Sequence, residues 1–567
     1  MKYSGARILI ESLIEQGVDT IFGYPGGAVL NIYDELYRYK DRIRHILVSH
    51  EQHAAHAADG YARSSGKPGV CLATSGPGAT NLVTGIATAF VDSIPVVAIT
   101  GNVSAPLLGK DSFQEVDIAG ITMPIVKHNW IVEDVCDLVK IIREAFVVAK
   151  TGRPGPVLID IPKDISSRIC EYHGNSDYYL SANGRAIRLL KKTNRETFTE
   201  ADIEKAAALI KDSKRPMLYA GGGVIHSGAG AELVKIAELL NAPVALSLMG
   251  MGAFPSEHPL YTGLIGMHGS AASNKAVQEA DLLIAAGARF SDRVTNSVRR
   301  FAHNAKIIHI DIDPAEINKN FAADISIVGD LKVVFGRLIK KIPAKTSSDV
   351  KTSFEWNGKI EKWKAQTPKV NKNKADLQPC FVIQETANAL GEKAIVVTDT
   401  GQHQIWTAQF YPFKRPRSFL SSGGMGTMGY GLGAAAGAKL ANPASPVVLF
   451  TGDGSFRMNC AEMATLVKYE LPVLIVIFNN RALGMLRQWQ NFSFDSNYSE
   501  TDLETRGPDF VKLAAAYGVQ GLRAADEPSF LEALEKALPI LDSGKPALIE
   551  AIIGKDEKVA PMTIKDG

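Results

Sequence analysis

Short, continuous apolar runs alternate with segments of helical spacing along most of the chain. The clearest case lies between Pro446 and Asn480, where the runs Val447 to Phe450 and Val473 to Phe478 enclose a segment whose apolar residues recur at helical intervals. Continuous apolar runs are typical of strands that are buried on both faces, as in a parallel sheet. We therefore predict one strand–helix–strand unit of a buried parallel sheet in this stretch.

The same alternation recurs in the two preceding parts of the chain, and 567 residues are too many for one hydrophobic core. We predict an α/β fold of three doubly wound, mostly parallel sheets, with domains at residues 1–183, 190–342 and 375–567. Polar, lysine-containing stretches at 181–199 and 343–378 are predicted linkers, the second with a helix around Trp356 to Trp363. The strand-like runs of the first two domains lie at 20–23, 43–48, 70–74, 96–100, 157–161, 216–223, 243–248, 281–290, 306–313 and 325–330.

Two polar side chains follow the two apolar runs of the last domain. Asp453 comes just after the first run and Asn480 just after the second. Adjacent parallel strands lie about 4.8 Å apart, so the two side chains can reach a common ion. Oxygen ligands without a nearby His or Cys suit Mg²⁺ or Ca²⁺, which keeps valences for water and phosphate.

Gly452 and Gly454 flank Asp453 and let the backbone approach a ligand closely, and the following helix offers free N–H groups to an anion. The stretch therefore predicts a diphosphate held through a metal ion. The alternative is that the sequence GDG forms an ordinary turn.

Composition limits the classes of function. The chain has 46% apolar residues, 22% charged residues and a net charge of +2, which argues against nucleic acid binding. No apolar run approaches the roughly 20 residues of a membrane helix. The amphipathic start with Glu11 and Glu15 is neither a signal nor a transit peptide. The cysteines are scattered, so we expect reduced thiols and a cytoplasmic location: Cys71, Cys136, Cys170, Cys380 and Cys460.

Specific segments carry a family resemblance. The sequence GDG at residues 452–454, followed by the pair Asn479–Asn480 at the end of the next apolar run, resembles the thiamine diphosphate motif. The segments GYPGGAVL, SHEQHAAHAADGYAR, SFQEVDI, GMHG, ARFSDRV, TGQHQIW and GMLRQWQ are similar to catalytic subunits of acetohydroxyacid synthase, also called acetolactate synthase. The resemblance extends over about residues 4 to 560.

The resemblance implies a reaction and its partners. Pyruvate is decarboxylated and joined to a second pyruvate or to 2-oxobutanoate, which gives 2-acetolactate or 2-aceto-2-hydroxybutanoate for branched-chain amino-acid biosynthesis. The implied cofactors are thiamine diphosphate, Mg²⁺ and a structural, non-redox FAD. The implied assembly is a homodimer or homotetramer with active sites at the subunit interface, and a small regulatory subunit is a further expected partner.

Glu51 follows a predicted strand at the start of a predicted helix, where ligands bind in doubly wound sheets. One interpretation is an acid that the helix dipole favours. The resemblance implies another role. The C2 proton of thiamine is removed by the cofactor's own 4′-imino group, a tautomer that forms when a carboxyl group is hydrogen-bonded to N1′.

The other thiamine diphosphate residues follow from the resemblance. Met428 is expected to support the bent cofactor beneath its thiazolium, and the backbone carbonyl of Ala482 is expected as a third metal ligand beside Asp453 and Asn480. His403 is expected to contact the diphosphate, and the alternative is a purely structural role. The remaining expected contacts are Gly27, Gly401, Gln402, Gly426, Gly454, Ser455, Gly484 and Met485.

The resemblance also implies substrate contacts. Gln114 is expected in the substrate pocket and Lys163 in the substrate channel, with a plain surface lysine as the alternative for Lys163. Arg293 is expected to face the carboxylate of the second 2-oxo acid, because a guanidinium binds a carboxylate through two hydrogen bonds. Trp489 is expected to favour 2-oxobutanoate, and its alternative is a core residue.

The middle domain lacks the GxGxxG fingerprint, so its glycines alone favour a domain that binds nothing. The expectation of FAD rests on matched positions: Arg153, Gly221, Gly222, Gly223, Met267, His268, Gly287, Arg289, Arg293, Asp311, Asp330 and Gln404.

Two rival functions stay open at this point. A pyruvate oxidase type of oxidoreductase would use FAD for electron transfer. A structural or regulatory homologue without catalysis is the other rival, and the presence of Glu51, Asp453 and Asn480 argues against it.

Overall fold

The computed structural model describes residues 1–173, 197–295, 301–342, 347–366, 376–503 and 507–562. These residues form three α/β units, each built on a six-stranded parallel sheet, which confirms the predicted fold class. The predicted boundaries at residues 183, 190 and 375 lie outside the described residues and stay predictions. No helix in the described part of the chain has the length and apolarity of a membrane span.

The first sheet includes all five predicted strands. A sixth strand, Asn129–Ile131, lies at the edge of this sheet and was not predicted. It has only three residues, and all of them are partly or fully exposed, so the sequence shows no continuous apolar run there. The spatial order is Arg44–Leu47, Thr20–Gly23, Gly69–Ala73, Val96–Asn102, Val157–Pro162 and Asn129–Ile131. The helices are Gly5–Glu15, Leu30–Arg38, Glu51–Ser65, Pro77–Asn81, Val83–Val91, Ile118–Thr122, Leu138–Lys150 and Lys163–Ser167.

The middle sheet repeats this plan. Its unpredicted strand is the edge strand Tyr261–Leu264, whose register with its neighbour Val244–Leu246 is irregular. The spatial order is Tyr261–Leu264, Val244–Leu246, Pro216–Ala220, Leu282–Ala286, Lys306–Asp311 and Ile325–Val328. The helices are Glu200–Asp212, Gly222–Ser227, Gly230–Leu240, Ala271–Glu279, Asp292–Thr295, Leu331–Lys341 and Ser347–Lys364.

The third sheet contains the two strands predicted around Asp453 and Asn480. They pair in parallel, with Gly452 opposite Phe478. The spatial order is Phe419–Ser421, Ile395–Thr398, Val447–Gly452, Val473–Asn479, Ala547–Ile552 and Gln520–Ala524. The helices are Pro379–Leu390, Gln402–Phe410, Gly431–Ala441, Asp453–Asn459, Met463–Lys468, Gly484–Ser493, Phe510–Ala516 and Glu527–Asp542.

Two helices join the first unit to the third. Glu51–Ser65 crosses Gly431–Ala441 at small residues, where backbones meet without intervening side chains. A Cβ at Gly60 would overlap the carbonyl of Ala434. The crossing therefore needs small residues, and it places the helix that begins at Glu51 firmly against the third unit.

The structure contains a disulfide between two of the five cysteines. The expectation of five reduced thiols is wrong for Cys136 and Cys170, which form a disulfide with a Cα–Cα distance of 5.6 Å. Cys170 lies in strand Ile169–Glu171, which pairs antiparallel with Lys2–Ser4 at the chain start. The two cysteines are 34 positions apart in the sequence, so the local sequence pattern does not show that they lie close together in the fold. Cys71, Cys380 and Cys460 are free thiols.

Candidate active site

A cavity that opens to solvent lies at the carboxyl ends of the central strands of the third sheet. It collects the predicted metal ligands and most of the predicted diphosphate contacts, which supports the idea that one ligand unites them. Its lining is Thr400, Gly401, Gln402, His403, Trp406, Met428, Gly452, Asp453, Gly454, Ser455, Phe478, Asn480, Ala482, Leu483, Gly484, Met485, Leu486 and Ile553. Gly426 lies in an exposed loop with φ +69° and is not among these residues.

Asp453 is a buried carboxylate with an unused oxygen. The residue is 2% exposed, and its Oδ2 atom has no hydrogen-bond partner. Burial raises its pKa to about 7, although the Gly454 N–H and Arg457 act in the opposite direction. A buried carboxylate oxygen without a partner is costly, so the site fits a bound cation.

The side chain of Asn480 is held in place by its neighbours. Its Oδ1 accepts a hydrogen bond from the Ala482 N–H (3.1 Å), and its Nδ2 donates to Gln402 Oε1 (3.4 Å). The amide of Gln402 in turn donates to Gln488 Oε1 (2.9 Å) and to the Glu557 carbonyl (2.7 Å). Among the described residues no group of three or more His, Cys, Asp or Glu side chains is placed to hold a metal ion, so a metal here would rely on one carboxylate, one amide and backbone oxygen.

His403 is buried beside these groups. Burial lowers its pKa to about 3, so the ring is neutral at physiological pH. Its Nε2 atom has no hydrogen-bond partner, which leaves one polar atom for a ligand. Gly401 lies two residues before His403 and has a φ angle of +155°. A Cβ atom at Gly401 would lie 2.7 Å from His403 Cε1. Glycine is therefore required at this turn.

Sequence comparisons agree with this geometry. Three thiamine pyrophosphate enzyme families match: the N-terminal TPP binding domain at residues 3–121, the central domain at 203–338 and the C-terminal TPP binding domain at 399–551. The "Acetolactate synthase large subunit" of Cyanidium caldarium is 46% identical over 99% of this chain and 94% of its own. The "Probable acetolactate synthase large subunit" of Methanocaldococcus jannaschii is 48% identical over the same shares.

The "Acetolactate synthase large subunit" of Buchnera aphidicola subsp. Schizaphis graminum is 45% identical over 100% of this chain and 97% of its own. The chain belongs to the thiamine diphosphate-dependent acetolactate synthase family. This membership does not favour the pyruvate oxidase alternative.

In this acetolactate synthase homologue Glu51 is the first residue of helix Glu51–Ser65, as predicted, with His50 as its N-cap. Asn81 Nδ2 donates to its Oε2 atom (3.0 Å). A Cβ at Gly78 would lie 3.3 Å from Glu51 Oε1, and one at Gly76 would lie 2.8 Å from the Gln114 carbonyl. Glu51 and Gln114 therefore flank one turn of the first unit. Neither lines the cavity of the third unit.

The remaining predicted substrate residues of the acetolactate synthase site lie away from this cavity in the single chain. Arg293 is 69% exposed in its side chain, and Lys163 is exposed at the start of its helix. Trp489 is half-buried in helix Gly484–Ser493, which contributes Met485 and Leu486 to the cavity. Gly27 is exposed at the turn after strand Thr20–Gly23.

Some predicted flavin residues meet at one edge of the middle sheet. Gly221, Gly287 and Asp311 follow or end neighbouring strands, and Gly287 has φ +56°. Cβ atoms at Gly221 and Gly223 would overlap or crowd Gly287, while Gly222 has room. Burial raises the pKa of Asp311 to about 6, and its Oδ1 accepts the Asp313 N–H (2.9 Å).

The other predicted flavin residues already have protein partners. Asp330 caps helix Leu331–Lys341 by accepting N–H bonds from Lys332 and Val333. Gln404 donates to Ser421 Oγ (2.6 Å), and Arg153 pairs with Glu316 (2.8 Å). Arg289 donates to the Val91 carbonyl (3.0 Å), the Met267 N–H donates to the Arg293 carbonyl (2.8 Å), and His268 Nδ1 lies 3.3 Å from the Pro561 carbonyl.

Several cavity residues were not predicted. Thr400, Trp406, Phe478, Leu483, Leu486 and Ile553 line the cavity in addition to the predicted set. Ile553 directly follows strand Ala547–Ile552. Its position could have been predicted, because ligands of doubly wound sheets bind beyond the carboxyl ends of the strands. Leu483 has no such signal, since its place depends on the loop after Asn480.

Proposed function

We propose that the protein joins decarboxylated pyruvate to a second pyruvate or to 2-oxobutanoate and so forms 2-acetolactate or 2-aceto-2-hydroxybutanoate. This would be the first common step of branched-chain amino-acid biosynthesis. The observation that carries the proposal is the cavity, which is lined both by Asp453 with its unpartnered oxygen and by the hydrogen-bonded side chain of Asn480. When bound, thiamine diphosphate would supply a nucleophilic carbon for addition to the 2-oxo acid, and its thiazolium ring would supply the electron sink for decarboxylation.

We assign the metal site to Mg²⁺. Asp453 Oδ2, Asn480 Oδ1 and the Ala482 carbonyl would hold the ion, and its remaining ligand positions would be left for diphosphate and water oxygens. His403, Gln402 and the N–H groups around Gly454 and Ser455 would bind the diphosphate end. Met428 would support the thiazolium, because it is a long apolar side chain in the cavity wall.

We assign to Glu51 the hydrogen bond to N1′ of the aminopyrimidine. The cavity lining comes from residues 400–553, whereas Glu51 belongs to the first unit of the fold. This separation supports a homodimer or homotetramer in which Glu51 of one subunit completes the cavity of another. The 69% exposed side chain of Arg293 and the 89% exposed Phe113 next to Gln114 support the same arrangement.

In that assembly Gln114, Lys163, Arg293 and Trp489 would surround the substrate. The positive charges of Lys163 and Arg293 suit the carboxylates of 2-oxo acids. FAD would lie at the edge formed by Gly221, Gly222, Gly287 and Asp311 and would act structurally, since the condensation transfers no net electrons. We further propose a cytoplasmic location and, because relatives are named large subunits, a small regulatory subunit.

Anaerobic turnover of pyruvate without an electron acceptor tests the proposal. Acetolactate should form only with thiamine diphosphate and Mg²⁺ present, and acid treatment should convert it to acetoin. Pyruvate consumption that requires an added electron acceptor would instead support oxidase chemistry.

A further inference from the structure

The turn that presents Glu51 is held by the third unit of the same chain. It joins strand Arg44–Leu47 to helix Glu51–Ser65. The Leu47 N–H donates to Tyr469 Oη (2.7 Å), and the Ser49 hydroxyl donates to the Ala461 carbonyl (2.9 Å). The backbone before Glu51 is therefore anchored by residues about 400 positions later in the chain.

Glu462 is the centre of this anchor. Its carboxylate is 1% exposed and accepts the Ser49 N–H (3.2 Å), His53 Nδ1 (2.8 Å) and the Thr465 hydroxyl. Ser49 and His53 lie two residues before and two residues after Glu51. The single carboxylate is therefore hydrogen-bonded to residues on both sides of Glu51.

The Glu51 side chain itself has little support of this kind. The structure gives its carboxylate one side-chain hydrogen bond, from Asn81. Its direction therefore depends on the backbone of the first helical turn. Catalytic groups lose rate steeply when displaced, since a shift of about 1 Å costs on the order of 100-fold.

We propose that Glu462 is a positioning residue for Glu51. It fixes the turn from Leu47 to His53 so that the Glu51 carboxyl group is correctly directed toward N1′ of the aminopyrimidine. This inference rests on the role proposed above for Glu51. Glu462 also follows the metal ligand Asp453 by nine residues, through helix Asp453–Asn459, so one short segment connects the diphosphate anchor to the Glu51 turn.

A double-mutant cycle in the full-length enzyme tests the inference. The variants are Glu51→Gln, Glu462→Gln and the double variant, and the measurement is hydrogen–deuterium exchange at C2 of bound thiamine diphosphate. Glu462→Gln keeps the size of the side chain and one acceptor oxygen, so the fold should persist. We expect a 10- to 100-fold slower exchange for this variant, the range for a displaced catalytic group, and an affinity for the cofactor within about threefold of wild type, because the diphosphate contacts are unchanged.

The double variant is the decisive member. If Glu462 acts through Glu51, adding Glu462→Gln to Glu51→Gln should slow C2 exchange no further. A second readout uses the cofactor-free protein: backbone amide exchange of the peptide from Leu47 to His53 should be faster in Glu462→Gln. Thr465→Val, which removes a donor to the same carboxylate, should show a smaller effect in the same direction.

Glu15→Gln is the matched control, since Glu15 is also a mostly buried carboxylate, paired with Arg143 (2.8 Å). It should leave C2 exchange and the amide exchange of the Glu51 turn unchanged. A wild-type rate of C2 exchange in Glu462→Gln would overturn the inference about Glu462 but not the role of Glu51. Fully additive reductions of the exchange rate in the double variant would do the same. Wild-type exchange in Glu51→Gln would overturn the role of Glu51 and the inference with it.

Discussion

Gly484 offers a direct test of the cavity as the diphosphate site. It opens helix Gly484–Ser493 and faces the Gln402–Asn480 pair. A Cβ in Gly484→Ala would overlap Gln402 Oε1 and lie 2.6 Å from Asn480 Nδ2. Gln402 cannot swing away freely, since its amide donates to Gln488 and to the Glu557 carbonyl.

The cost follows from this crowding. Inserting a methyl group into a packed site costs about 1–3 kcal/mol, and about 1.4 kcal/mol corresponds to tenfold in affinity. We therefore expect the affinity for thiamine diphosphate to fall about 10- to 100-fold. Titration calorimetry, with fluorescence of the cavity residue Trp406 as a second signal, measures it.

Gly336→Ala is the matched control. Gly336 lies within helix Leu331–Lys341, and a Cβ there would meet no atom within 4 Å. This variant should bind the cofactor as wild type does and gain up to about 1 kcal/mol in helix propensity. An unchanged cofactor affinity in Gly484→Ala would refute the assignment of this cavity.

Three further predictions concern selectivity, flavin and pH. Trp489→Leu should lower the preference for 2-oxobutanoate over pyruvate in a mixed-substrate competition by about fourfold, since one buried methylene is worth about 0.8 kcal/mol, whereas Trp130→Leu should not; an unchanged product ratio would make Trp489 a packing residue. Protein reconstituted with 5-deaza-FAD should retain condensation activity, because a structural flavin transfers no electrons, and loss of activity despite full binding would support oxidase chemistry. Burial raises the pKa of Asp160 to about 6, so its protonation stabilises the fold at low pH and this contribution is lost as the pH rises through 6. The Tm of Asp160→Asn relative to wild type should therefore be highest at pH 7.5 and fall toward pH 4.5, and a constant difference would contradict the reasoning.

The positions of Asp453 and Asn480 followed from the sequence because buried parallel strands produce long apolar runs with clear ends. Strand Val473–Asn479 is buried throughout, so its end is marked by the first polar residues. Edge strands lack this mark. Asn129–Ile131 is partly exposed and short, which makes it resemble a loop.

Contacts between distant segments could not be predicted. The bond between Asn480 and Gln402 joins residues 78 positions apart, and the contact of Glu462 with His53 joins residues 409 positions apart. Nothing in the local pattern around Glu462 distinguishes it from a helix-capping acid. The Cys136–Cys170 disulfide could not be predicted for the same reason, since Cys170 lies in a strand that pairs with the distant segment Lys2–Ser4.

The most direct test of the whole account is the coupling between metal and cofactor. The affinity of wild-type protein for thiamine diphosphate should rise by about 100-fold or more at saturating Mg²⁺, because in the proposed site the metal would be held by the Asp453 carboxylate and would bind the diphosphate. Asp453→Asn removes the only formal charge among the proposed ligands, so the effect of Mg²⁺ should nearly vanish in this variant. Tight cofactor binding that is independent of Mg²⁺ in wild type, or unchanged coupling in Asp453→Asn, would contradict the account.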